Sequence, residues 1–142
     1  MKIIHESEVK EKAVPGRFLR WIVEPETSPE SAGENLSQSL KSNDCACCIM
    51  RVEPGSTVQP AHSHPDCEEL IYFIQGEGHV YIDGVITRVR KGSAVLFEKN
   101  AIHMVRNSGR EEMKVACFFS AATDLDKYQF HKEVDFDKGK PL

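Results

Sequence analysis

The chain has 142 residues, of which 40% are hydrophobic and 28% charged, the size and profile of one folded globular domain rather than of a disordered or fibrous protein. Its formal charge of −4, with no cluster of Lys and Arg interleaved with aromatics, argues against a nucleic-acid partner. No stretch of about 18 apolar residues is present, and Met1-Lys2-Ile3-Ile4-His5-Glu6 turns charged too early for a signal sequence, so no membrane association is expected and the location expected is cytoplasmic.

In chain order, short β-favouring runs are broken by turn residues, which predicts an all-β fold. The first run is Arg17 to Val23, an outlying N-terminal strand of the kind that covers a sheet edge or is exchanged between subunits. Glu24 to Asp44, with two Pro, five Ser and one Gly, reads as a long loop with a helical turn near Asn35 to Leu40. Strands follow at Cys45 to Val52, Glu69 to Gln75, His79 to Ile82, Val85 to Arg88, Ser93 to Phe97, His103 to Arg106 and Lys114 to Phe119. Asp83-Gly84 is a type I′ hairpin signal, since both residues accept positive φ, and it pairs the two strands that flank it. The tail from Asp124 to Leu142 is charged but carries Leu125, Tyr128, Phe130, Val134 and Phe136, which suggests a segment packed on the outside. The whole is expected to be a single domain, 1–142, with its barrel core at about 45–120.

The 5 cysteines, at positions 45, 47, 48, 67 and 117, form an odd set expected to be reduced thiols. Cys45, Cys47 and Cys48 lack the second ligand pair of a zinc ribbon or finger and read as small residues of a strand. Cys67, two residues before Glu69, could approach the site but reads more readily as an exposed loop residue.

The most informative stretch is His62-Ser63-His64-Pro65-Asp66-Cys67-Glu68-Glu69. In an extended segment residues i and i+2 share a face, so His62 and His64 can aim at one point. A turn at Pro65-Asp66 brings Glu69, at the head of the next strand, back towards it. Imidazoles and a carboxylate suit a borderline divalent ion, and His103 is the best candidate for a third imidazole, leaving positions open for water or substrate. Singly, each of these residues is more often a surface or core residue. Their joint placement around strand–loop–strand is what favours metal. His5, His79 and His131 lack such partners and read as structural.

These residues resemble the two motifs of the cupin family, G(X)5HXH(X)3–4E(X)6G and G(X)5PXG(X)2H(X)3N. The first is matched from His62 through Glu69 to Gly76, the second at Gly92, His103 and Asn107. Gly55 stands one residue further from His62 than the motif asks, and Glu98 and Asn100 replace its Pro and Gly. Asn is the residue best able to replace Gly at positive φ. The resemblance implies a double-stranded β-helix (jelly-roll) barrel with one divalent metal ion per subunit (Mn, Fe, Ni or Zn) inside one end, held by His62, His64, Glu69 and His103. It also implies a small-molecule ligand and a homodimer.

Open coordination suits a metal-dependent dioxygenase, decarboxylase, isomerase or lyase on a small oxygen-bearing substrate. Strand alternation puts Ile71 and Phe73 on the face of Glu69, and Val105 on that of His103, predicting a largely apolar cavity. The alternative is a non-catalytic metal-dependent binding, sensor or storage protein. A general acid or base beside the ligands would discriminate the two, and the sequence nominates Tyr72, Tyr81 and Arg51.

Overall fold

The computed structural model describes residues 2–26 and 39–142. Its strands are β1 (Lys12–Val14), β2 (Arg17–Glu24), β3 (Leu40–Lys41), β4 (Ala46–Val52), β5 (Ala61–Ser63), β6 (Glu69–Gln75), β7 (Glu77–Ile82), β8 (Val85–Arg90), β9 (Ala94–Phe97), β10 (His103–Arg106), β11 (Met113–Phe119), β12 (Gln129–His131) and β13 (Lys140–Pro141). They form two facing sheets. One runs β1-β2-β4-β11-β6-β9 with β3 beside β2, the other β12-β5-β10-β7-β8-β13.

Alternation of side chains makes the layers. In β6, Glu69, Ile71 and Phe73 are buried while Leu70, Tyr72 and Ile74 face out. The same alternation along β2 and β4 buries Arg17, Leu19 and Trp21 and then Ala46, Cys48, Met50 and Val52. These inward faces meet those of the second sheet in one core that includes Phe73, Phe97, Val80, Val105 and Val115. Asp83 (φ 46°) and Gly84 (φ 91°) make the expected tight turn, closing the β7–β8 hairpin at Ile82↔Val85. Asn100 takes φ 66°, so it does serve where the family motif has glycine.

The expected strands are all present, with ends moved by at most two residues at any one end. Four short ones escaped notice, β1, β3, β12 and β13, and β5 was expected only as the extended segment that carries His62 and His64. Each of these spans only two or three residues and carries too little pattern of its own; a partner strand defines it. The helical turn expected near Asn35 to Leu40 falls mostly outside the described residues, and Leu40 itself lies in β3, parallel to β2. The N-terminal segment lies over the outer face of the first sheet, where Glu6 pairs with Arg20 and Lys114, and Glu11 with Arg20 and Arg51.

The tail does two things. Its second half crosses the outside of the second sheet, as expected: Phe136 packs in a small cluster with Ala61, Tyr81 and Met104, and β13 runs parallel to β8. Its first half turns inward instead, so that Leu125 and Tyr128 pack against the main core. Among the described residues no helix is long and apolar enough to cross a membrane.

Candidate metal centre

Two strands of the second sheet and one of the first supply the site. β5 carries His62, with His64 just beyond its end, and pairs antiparallel with β10 at His62↔His103. Direct opposition in an antiparallel pair brings the rings together, at a centroid separation of 4.4 Å. The loop after His64 is tied down by Asn100 N–H donating to His64 O at 2.9 Å. It delivers Glu69, first residue of β6, from the opposite sheet. His64 Nε2 lies 2.8 Å and His103 Nε2 3.1 Å from Glu69 Oε2. One ligating atom from each of His62, His64, Glu69 and His103 lies within 4.8 Å of the others, and all four side chains are buried.

The surroundings set orientation and charge. His103 Nδ1 contacts Ala101 O at 2.9 Å and His62 Nδ1 contacts Pro60 O at 3.3 Å. Donation to a carbonyl through Nδ1–H leaves Nε2 as the lone-pair nitrogen, the arrangement that orients imidazole ligands on metals. On that assignment His103 turns Nε2 towards a carboxylate oxygen 3.1 Å away, an orientation in which a cation can lie between the two. His64 Nδ1 is buried without a hydrogen-bond partner. Burial first, then the neighbouring His103 ring and the Arg17 guanidinium, pushes His62 well below the usual histidine range, so its imidazole is neutral. Burial opposes ionisation of Glu69, yet its contacts with His103 and His64 hold its carboxyl well below the usual carboxylate range. Neutral imidazoles with an ionised carboxylate are the donor set of a borderline divalent cation. The four residues could hold a metal ion.

The space between them is small. A cavity of about 20 Å³ is lined by His62, Glu69 and His103 together with Ile71, Val105 and Phe97, largely apolar as expected, but with room for about one water. What closes it is Tyr128, whose ring stacks on His62 (5.0 Å, 10°) and stands edge-on to His64 (4.3 Å). Burial, then the nearby Cys48 and Glu69, pushes its phenol well above the usual tyrosine range, so it keeps its proton.

The three nominated acid–base residues are elsewhere. Tyr72 is on the outer face of β6, 46% exposed. Arg51 is on the outer face of β4, bonded to Glu11 and Glu112 and lying over Phe18. Tyr81 belongs to the small outer cluster with Phe136. None of the three lines the cavity, because each has the wrong parity for its strand's inward face or the wrong side of its sheet. Cys67 is buried in the core, not exposed: its loop folds inward to deliver Glu69, and burial pushes the thiol up to about 11. The remaining histidines lie outside the cluster. His5 caps the first turn, and His79 and His131 bond Ser108 and Ser63.

Two residues at the cavity were missed. Arg17 lines it, and its parity with Leu19 and Trp21 was a usable signal. Tyr128 had no local signal, because an apolar residue in a tail does not state which surface it covers.

Comparison with known proteins agrees with this fold. The model of the Cupin domain matches residues 48–119. A germin-like protein (subfamily 2 member 2) of Arabidopsis thaliana is 26% identical over 99 residues, covering 63% of this chain and 43% of that protein. The chain spans less than half the length of the curated relatives it matches. An uncharacterised Klebsiella pneumoniae protein with a double-stranded β-helix domain superposes with a TM-score of 0.67 at 16% identity, over 92% of this chain and 96% of that one. Oxalate decarboxylase from Bacillus subtilis superposes with a TM-score of 0.68 at 19% identity, over 89% of this chain and 31% of that one. At such identities the likeness is one of fold.

Proposed function

This chain belongs to the cupin family, and on that premise we propose that it is a metal-dependent enzyme of the cupin type acting on a small oxygen-bearing molecule, with one divalent ion held by His62, His64, Glu69 and His103. The observation that carries the reading is the convergence of three buried imidazoles and one buried carboxylate within 4.8 Å, from two sheets that bring them together only when folded. A divalent ion bound there would supply Lewis acidity towards a substrate oxygen, or dioxygen chemistry if it is redox-active.

The protein's own groups have distinct tasks. The carbonyls of Pro60 and Ala101 keep the His62 and His103 rings from turning. Ile71, Phe97 and Val105 form a dry wall that strengthens every charge interaction inside it. Tyr128 lays its ring over His62 and His64 and carries a phenol on it. That phenol favours an enzyme over a passive metal-binding module, because it is a general-acid candidate distinct from the ligands. The reaction type stays within dioxygenation, decarboxylation, isomerisation and lysis.

The test is elemental analysis of protein purified without added ions. We expect about one divalent ion per chain, lost in the His62→Ala/His103→Ala double variant while its circular dichroism stays that of a β-barrel. Metal undiminished in the variant would overturn the ligand assignment.

We also infer a homodimer formed through the outer face of the first sheet. Phe118 opposes Leu70, which opposes Leu96, and with Tyr72 and Ile74 these side chains are each 40–52% exposed. At roughly 200 Å² per full side chain they present about 450 Å² of contiguous apolar surface. That is over half of the roughly 800 Å² each partner contributes to a stable interface. This surface replaces exchange of β2, which pairs with β4 of its own chain.

A further inference from the structure

The inward positions of β2 are Arg17, Leu19 and Trp21, and the first of these puts a guanidinium at 5% exposure among apolar neighbours. Its hydrogen bonding is meagre. Of its five N–H donors, Nη1 donates to Pro15 O at 3.3 Å, and among the described residues no carboxylate pairs with it. An arginine is almost never buried without an anion or a dense set of acceptors, because removing the charge from water is costly.

Arg17 lines the same cavity as His62, Glu69, His103 and Tyr128. On the metal reading above, on which this inference rests, a divalent ion and Arg17 face the single charge of Glu69, leaving two positive charges uncompensated in a dry site. Glu69 is the one carboxylate among the residues that line the cavity.

We propose that Arg17 is the anion-recognition group of this site, and that its ligand is a small carboxylate carrying a second oxygen donor that reaches the metal centre. The planar fork of a guanidinium matches a carboxylate with two parallel hydrogen bonds. The second oxygen, an α-oxo, α-hydroxy or second carboxylate group, is what links the anion held by Arg17 to the ligand cluster. The size of the cavity limits the acid. With about 20 Å³ available, binding requires the Tyr128 ring to withdraw from over His62 and His64, and the space vacated by one phenol ring admits an acid of roughly two to four carbons.

The experiment is calorimetric titration of the full-length, metal-loaded protein at neutral pH with oxalate, glycolate, pyruvate and malonate, and with glycolamide as the uncharged counterpart of glycolate. Metal content is measured before and after. At least one acid is expected to bind, with glycolamide at least tenfold weaker than glycolate where glycolate binds. Arg17→Met should weaken the bound acid tenfold or more with metal content unchanged, and Arg17→Lys should recover part of the loss. If Arg17→Met fails to fold, Arg17→Gln serves the same comparison. Equal affinity in the folded, metal-loaded variant, or no binding of any acid to the metal-loaded parent, would overturn the role of Arg17. A parent protein without metal would instead overturn the metal reading, and the carboxylate inference with it.

Discussion

Asn107 illustrates how much one buried side chain can carry. It is fully buried, and its Nδ2 donates to Val52 O and Glu111 O, both at 2.8 Å, while its Oδ1 accepts from Gly109 N at 3.0 Å. Truncation strands the Val52 carbonyl in the core and frees the turn at Gly109 and Glu111, so Asn107→Ala should cost about 1–3 kcal/mol, a fall in Tm of roughly 3–9 °C. Metal content should stay at the parental level, since Asn107 is no candidate ligand; calorimetry and elemental analysis together check both halves. Tyr128 is the opposite case, a residue expected to matter for access more than for stability. Because its ring covers His62 and His64, Tyr128→Ala should speed removal of the metal by a chelator tenfold or more. A stopped-flow chelation rate unchanged from the parent would mean that the ring does not guard the site.

Among the elements, β5 shows why short strands decide sites. It has three residues, all buried, and it lies between β10 on one side and β12 on the other. The first pairing sets His62 against His103, the second brings the tail across so that Tyr128 can enter the barrel mouth. The bond between His131 and Ser63 fixes β12 from its other end. β6 was legible from its alternation and its turn boundaries, and so was the side to which Glu69 points. The inward turn of the Cys67 loop was not legible, because a loop's burial depends on what lies opposite, and here that is the main hydrophobic core.

For the whole molecule, the two faces of the first sheet have different fates. The inner face makes the core; the outer one is covered in part by the N-terminal segment through Glu6 and Glu11 and leaves Leu70, Tyr72, Ile74, Leu96 and Phe118 open. A two-fold pairing of this patch predicts a dimer in light scattering at micromolar concentration. Phe118→Glu combined with Leu96→Glu should give a monomer with unchanged metal content. A monomeric parent would refute the pairing.

The amino-acid sequence by itself determined the all-β class, the main strands, the hairpin at Asp83-Gly84 and the four-residue cluster. Most of these rest on short-range rules, namely period-two alternation, turn chemistry and the i, i+2 spacing of His62 and His64; His103 came instead from its place in the second motif. The tertiary structure alone decided that Tyr128 closes the cavity, that Arg17 shares it, and that Arg51, Tyr72 and Tyr81 stand outside. Alternation tells which side of its own strand a residue takes, but which strands pair and which faces meet is settled by contacts between distant segments, and those set the contents of the cavity.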